Sequence, residues 1–191
     1  MILWGPPGTG KTTIGRLLAA EGTMEFSNIS AVFSGVSDLR KAFDAAKKAQ
    51  ESGRGTLLFV DEIHRFNKLQ QDSFLPYVEN GTVVLVGATT ENPSFELNSA
   101  ILSRVQVYVL KRLGEKVLET LLTRAEAHIG HSLPINTEAR KALRRLADGD
   151  GRYLLNIAEE LLNRPDKFIL NTKDLANAVQ RRMPLYDKSD D

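Results

Sequence analysis

Short continuous apolar runs alternate along the first part of the chain with stretches in which apolar residues return every three or four positions. Residues 1–4, 56–60 and 82–88 are runs of strand length with little polar interruption, as expected of strands buried on both faces of a parallel sheet. Residues 24–29 alternate weakly and predict another strand, and residues 105–110 a fifth. Between them, residues 12–21 carry Ile14, Leu17, Leu18 and Glu21 at helical spacing. A helix from residue 38 to about 52, capped by Ser37, shows the face Leu39, Ala42, Phe43, Ala46 and Ala49. Asn67 starts a further helix containing Leu69, Phe74, Leu75 and Val78, with a late kink expected at Pro76. Residues 99–104 read as a short helix. Strands alternating with helices predict an α/β fold built on a parallel sheet flanked by helices.

From Lys111 onward only the helical period remains. Val117, Leu118, Leu121, Leu122, Ala125 and Ile129 form one stripe, and Ala139, Ala142, Leu143 and Leu146 a second. Leu154, Ile157, Ala158 and Leu161 form a third, and Leu175, Ala178 and Val179 a fourth, with Thr137 and Thr172 as candidate caps. The expected organisation is an α/β core over residues 1–112, a small all-helical domain over 113–185, and the start of a linker over 186–191, with residues 187–191 disordered. Arg140, Lys141, Arg144 and Arg145 lie on one polar face; a solvated helix face is favoured over a DNA-binding patch.

Candidate chemistry gathers at strand ends. GPPGTGKT, from Gly5 to Thr12, follows the first strand and opens the first helix, matching the phosphate-loop pattern G-x-x-x-x-G-K-[ST]. Glycines at 5, 8 and 10 allow successive N–H groups to converge on phosphate oxygens at a helix N-terminus. Gly5, Pro6, Pro7, Gly8, Thr9, Gly10, Lys11, Thr12 and Thr13 are therefore the expected nucleotide-binding residues, Lys11 reaching the β- and γ-phosphates and Thr12 a Mg2+ ion. The apolar strand at 56–60 ends in Asp61-Glu62, where open α/β sheets bind ligands. Asp61 is the candidate Mg2+ carboxylate and Glu62 the candidate general base. Thr89 and Thr90 close the next strand; Thr90 is favoured over Thr89 as the hydroxyl near the γ-phosphate, with backbone capping by both as the alternative.

Overall composition narrows the field. Twenty-five basic against 24 acidic residues leave a formal charge of +1, so no global field holds nucleic acid and any DNA contact must be local. The chain has no cysteine, which excludes a disulfide framework and thiolate metal sites. Its longest apolar run, 83–86, is far too short to span a bilayer, and a soluble cytoplasmic protein without membrane contact is expected. Only four residues precede the phosphate loop, so the chain is expected to be cut at its N-terminus, with the adenine side of the site open.

A phosphate loop, an acidic strand end, a polar strand end, an arginine at a helix-to-strand junction and a helical domain follow the order found in AAA+ ATPases. SGVSDLR at 34–40, DEIHRFNKLQQDSFLPYVENG at 61–81, VGATTENPSFELNSAILSR at 86–104 and YDK at 186–188 closely resemble the RarA (MgsA) family of replication-associated recombination ATPases, relatives of the Werner-helicase-interacting ATPase. The resemblance covers essentially the whole chain. It implies a P-loop core with a helical lid, with Lys11 and Thr12 as Walker A, Asp61 and Glu62 as Walker B, Thr90 as sensor 1, Arg104 as arginine finger and Arg152 as sensor 2. Family members read close to GDARRALN where this chain has GDGRYLLN at 149–156; the sensor arginine stands at Arg152, Gly151 weakens the helix start, and Tyr153 replaces a second arginine. By the same resemblance the cofactors are ATP and Mg2+. The partners are single-stranded, gapped or forked DNA, replication-fork proteins such as single-stranded-DNA-binding protein, and further copies of the same chain. The expected function is a DNA-dependent ATPase acting at stalled forks and gapped DNA. Rival readings are a Holliday-junction branch-migration or clamp-loading motor, and a nucleotide-gated scaffold without turnover.

Overall fold

The computed structural model describes residues 1–163 and 168–180; the YDK motif at 186–188 and the expected linker lie outside them. The chain divides into two compact units, one spanning Met1–Lys111 and the other beginning at Arg112.

The first unit is a five-stranded sheet of β1 (Ile2–Trp4), β2 (Glu25–Ser30), β3 (Thr56–Asp61), β4 (Val84–Thr89) and β5 (Val107–Val109), in the order β2-β3-β4-β1-β5. Every pairing is parallel. β3 is buried from Thr56 to Val60, and its side chains alternate between two cores. Leu58 and Val60 pack with Leu39, Phe43 and Phe74 on one face, while Leu57 and Phe59 pack with Leu3, Val86 and Ala19 on the other. The register pairs Trp4 with Thr89 and Val60 with Gly87, so β1, β3 and β4 end along one edge of the sheet.

The helices of this unit are α1 (Lys11–Glu21), α2 (Val36–Glu51), α3 (Lys68–Asp72), α4 (Leu75–Glu79), α5 (Pro93–Glu96) and α6 (Ser99–Leu102). α1 lies against the sheet through its smallest side chains. Gly15 and Ala19 are its buried small residues, and a Cβ at position 15 would come within 2.5 Å of the Phe59 ring. That close approach turns Leu17, expected on the buried face, outward to 60% exposure. α2 begins at Val36 rather than after a Ser37 cap: the Asp38 carboxylate accepts the Gly35 N–H at 3.0 Å and tethers the first turn. The single kinked helix expected after Asn67 is two short helices. Asn67 caps α3 by accepting the Gln70 N–H, α3 ends at Asp72, and Pro76 sits in the first turn of α4, where its missing N–H costs nothing. Leu69, placed in the apolar set by the sequence, is exposed.

Gln71 is 1% exposed and fully engaged. Its Nε2 donates to Phe66 O at 2.9 Å and Glu96 O at 3.2 Å, and its Oε1 accepts the Asn98 N–H at 2.9 Å. One amide thereby joins the segment after β3 to the segment after β4.

The second unit contains α7 (Glu115–Ile129), α8 (Thr137–Ala147), α9 (Gly151–Leu162) and α10 (Thr172–Gln180). Leu118, Leu122, Leu143, Leu154, Ile157, Leu161 and Leu175 form its core. Val117, Ile129 and Leu146, at the margins of the predicted stripes, are exposed, and Ala147 takes the last buried place on α8. The caps are asparagines rather than the neighbouring threonines. Asn136 accepts the Ala139 N–H at 2.8 Å, and Asn171 accepts those of Lys173 and Asp174.

On the basic face of α8, Lys141 and Arg145 are exposed as a solvated face expects, while Arg140 and Arg144 are engaged by α7. Arg140 donates to Glu119 at 2.8 Å and in a bidentate pair to Glu126 at 2.7 and 2.9 Å, and Arg144 also bonds Glu119. These two arginines clamp α8 to α7. Lys141 pairs along its own helix with Glu138.

Candidate functional site

The site is built where β1, β3 and β4 end. Between β1 and α1 the chain turns through Gly8 at φ 69° and Gly10 at φ 89°, both in the left-handed region that a side chain resists. Gly10 is the N-cap of α1 and, having no side chain, makes no side-chain cap hydrogen bond. A Cβ built on Gly10 meets nothing within 4 Å: the glycine serves the conformation, and the space in front of it is open. A glycine-rich turn leading into a helix N-terminus is a backbone arrangement suited to binding phosphate.

Lys11, the first residue of α1, is buried, and its ammonium donates to Gly5 O at 2.7 Å and Pro6 O at 2.9 Å. Thr9 Oγ1 also donates to Pro6 O, at 3.0 Å. The loop start is fastened to the sheet by the Gly5 N–H on Thr89 O at 3.1 Å. Thr12 is half-buried, whereas Pro7 and Thr13 are exposed.

Asp61, half-buried, closes β3, and Glu62 follows with its backbone in the left-handed region at φ 52°. That turn starts a 3-10 segment, Ile63–Arg65, and brings the chain back toward β4. Thr90 Oγ1 donates to Glu62 Oε2 at 3.4 Å. Thr89, fully buried, instead bonds both backbone groups of Glu91. The two strand-end hydroxyls therefore divide the alternatives, one meeting the acidic pair and the other capping backbone.

The phosphate loop, Asp61, Glu62 and Thr90 thus share one edge. Arg104 lies elsewhere in the first unit, donating to Glu79 at 2.6 Å and to Ala100 O and Ser103 Oγ at 3.0 Å. Arg152 is exposed in the first turn of α9, in the second unit; there Asp150 caps the helix through the Tyr153 N–H, and Gly151 is buried. One residue at the edge escapes the sequence reading: His64, whose side chain is 8% exposed and lies between Glu62 and Thr89. Its signal is a titratable residue two places after the acidic pair, legible only once Glu62 turns the chain back.

The donors suit Mg2+ carried by a nucleotide. Magnesium takes one or two protein ligands and completes its shell with water and phosphate oxygens, and Thr12 with Asp61 supplies one hydroxyl and one carboxylate. Among the described residues no group of three or more histidines or carboxylates forms an all-protein metal cage. No helix among them is long and apolar enough to cross a membrane.

Comparison with known proteins agrees with this geometry. The family model of the ATPase family associated with various cellular activities (AAA) matches residues 1–113, and that of the AAA C-terminal domain matches residues 129–191. The chain is 44% identical over its whole length to replication-associated recombination protein A of Escherichia coli K12, of which it spans 45%. It is 38% identical to the ATPase WRNIP1 of Dictyostelium discoideum, again over its whole length, spanning 24% of that protein. The chain therefore spans less than half the length of the curated relatives it matches here. Among solved structures, the Thermotoga maritima RuvB Holliday junction branch migration motor superposes with a TM-score of 0.71 and 25% identity, over 94% of this chain and 60% of RuvB.

Proposed function

Because the chain belongs to the AAA family of ATPases, we propose that it is the ATP-hydrolysing module of a RarA-like replication-associated recombination protein, stimulated by single-stranded or gapped DNA at stalled forks. The observation that carries the reading is the shared edge of the sheet, where an open phosphate cradle, Asp61, and a Glu62 carboxylate engaged by Thr90 occur together. Identity of 44% to a protein named for replication-associated recombination supports the biological setting.

In this mechanism the loop N–H groups and Lys11 bind the phosphates, and Thr12 and Asp61 hold Mg2+. Held there, Mg2+ would supply neutralisation of phosphate charge. Glu62 accepts a proton from the attacking water as the water oxygen bonds the γ-phosphorus. The bond from phosphorus to the β–γ bridging oxygen breaks, and ADP leaves with that electron pair. Thr90 orients Glu62 or the water. Catalysis is mainly positioning and charge stabilisation. Arg104 is delivered to the site of a neighbouring copy in a homo-oligomer, and Arg152 acts as the second sensor from the helical unit. Single-stranded-DNA-binding protein is a partner suggested by the family resemblance.

Glu62→Gln in the full-length protein tests the reading. It keeps shape and removes the base, so ATP binding is retained while turnover falls on the order of 10²-fold or more. Wild-type turnover in that variant would remove Glu62 from the mechanism, and absence of any DNA-stimulated phosphate release from the wild type would favour a nucleotide-gated scaffold. The likeness to RuvB favours a branch-migration motor as second reading; greater stimulation by a four-way junction than by gapped DNA would support it.

A further inference from the structure

His64 has no part in the mechanism above, yet it is the most enclosed titratable side chain beside the acidic pair. Its Nδ1 lies 2.9 Å from Thr89 Oγ1 and 3.3 Å from Glu62 Oε2. Thr89 Oγ1 accepts the Glu91 N–H at 3.0 Å and donates its own hydrogen to Glu91 O at 3.2 Å. With that hydrogen engaged, the Thr89 oxygen faces Nδ1 as an acceptor. An ionised carboxylate near the same nitrogen also requires a proton there. Both neighbours therefore select the Nδ1–H form of the imidazole, with the fixed hydroxyl at 2.9 Å and the carboxylate oxygen at 3.3 Å from that nitrogen.

The consequence for Glu62 is geometric. Its Oε2 accepts the Thr90 hydroxyl and lies 3.3 Å from His64 Nδ1, on a residue whose backbone is already held at φ 52°. Oε2 thus has the Thr90 hydroxyl on it and the imidazole beside it, while 28% of the side chain stays exposed. Thr89, which is fully buried, gives the imidazole a rigid back support.

We propose that His64 is a positioning residue for hydrolysis: through Nδ1–H, braced by Thr89, it holds Glu62 Oε2 and presents Oε1 to the attacking water. The assignment rests on Glu62 being the general base. His64 makes no contact with nucleotide in this scheme, so its loss should lower kcat and leave ATP affinity and KM unchanged.

The test compares His64→Ala, His64→Asn, His64→Gln and Glu62→Gln in the full-length protein, measuring kcat, KM, ATP affinity by calorimetry and thermal melting. Misplacing a reacting group by about 1 Å costs on the order of 10²-fold in rate, so His64→Ala should lose about 10- to 100-fold in kcat at unchanged KM. Asparagine places its amide nitrogen where Nδ1 was, whereas glutamine carries the same group one methylene further, to the position of Nε2. His64→Asn should recover most of the turnover and His64→Gln should match alanine. If His64→Ala also lowers melting, the asparagine–glutamine pair decides, since both bring the same amide and differ only in reach. Wild-type kcat in His64→Ala beside an inactive Glu62→Gln overturns the proposal and leaves the base assignment standing. Equal impairment of the asparagine and glutamine variants overturns it too. An active Glu62→Gln removes the base itself, and the role of His64 with it.

Discussion

Glu62 in the first unit and Glu126 in the second both have nitrogen groups beside them, and they are held differently. Glu62 Oε2 accepts the Thr90 hydroxyl and has His64 Nδ1 3.3 Å away, and the side chain keeps 28% of its surface exposed. Glu126 has both oxygens bound by the Arg140 guanidinium, takes the Leu133 N–H as well, and is 15% exposed. The first carboxylate is oriented but incomplete. The second is saturated, and its hydrogen bonds to Arg140, aided by the Leu133 N–H, hold its pKa below the ordinary glutamate value despite the opposing cost of burial. An acid poised to accept a proton must keep a lone pair directed at solvent or substrate; an acid that fastens two helices must not. The expected division is that variants around Glu62 change turnover with little change in stability, and variants around Glu126 do the reverse.

The largest effect expected on the functional side is at Arg104. Its pair with Glu79 is 42% and 51% exposed, and exposed pairs contribute about 0 to 1 kcal/mol, so Arg104→Ala should leave folding almost untouched. In an assembled full-length oligomer the same change should lower turnover by about 10³ to 10⁵, the range of finger arginines in nucleotide hydrolases. Mixing Arg104→Ala with Lys11→Ala subunits should restore part of the activity, because some interfaces then join an intact loop to an intact finger. Mixed oligomers without any recovery would remove the in-trans role.

On the structural side, Arg140→Ala leaves Glu119 and Glu126 without their shared partner at the α7–α8 contact. A loss of about 2 kcal/mol is expected, read as faster hydrogen exchange of α7 and α8 amides, with nucleotide affinity unchanged. Weakened ATP binding in that variant would break the division between the two clusters.

The smallest effect follows from protonation. Since Glu126 titrates below its ordinary value of 4.5 in the folded unit, the unfolded chain binds the proton more readily and the clamp contributes its full stability above that pH. Protection of α7 and α8 should therefore hold steady above about pH 5 and decline as the pH falls through 4.5 toward the lower folded value. In Arg140→Ala that acid-dependent component should be much reduced.

What the sequence reveals of this molecule depends on whether the deciding contact is local. The strands of 56–60 and 82–88 are legible because burial on both faces demands continuous apolar residues, and the phosphate loop because its glycines, lysine and threonine are contiguous. The pairing of Arg140 and Arg144 on α8 is not legible because Glu119 and Glu126 belong to α7 and enter only through packing. The caps are displaced by a single residue, since Asn136 and Thr137 are both competent and only the backbone chooses: Asn136 is extended at φ −76°, ψ 172°, as an N-cap requires. His64 is hidden for a different reason. Its meeting with Glu62 depends on a left-handed φ at a non-glycine residue, a conformation that the motif itself does not announce.

Gln71 has a mechanical consequence. Its amide binds Phe66 O and Glu96 O as donor and the Asn98 N–H as acceptor, while Asn98 caps α6 through Ile101. Arg104, just past α6, returns its own N–H to Ile101 O. The segment that follows Glu62 and the helix that precedes Arg104 are thus tied through one side chain. Glutamate lacks the donor hydrogens and leucine lacks both functions, so of these only the primary amide of glutamine makes all three bonds.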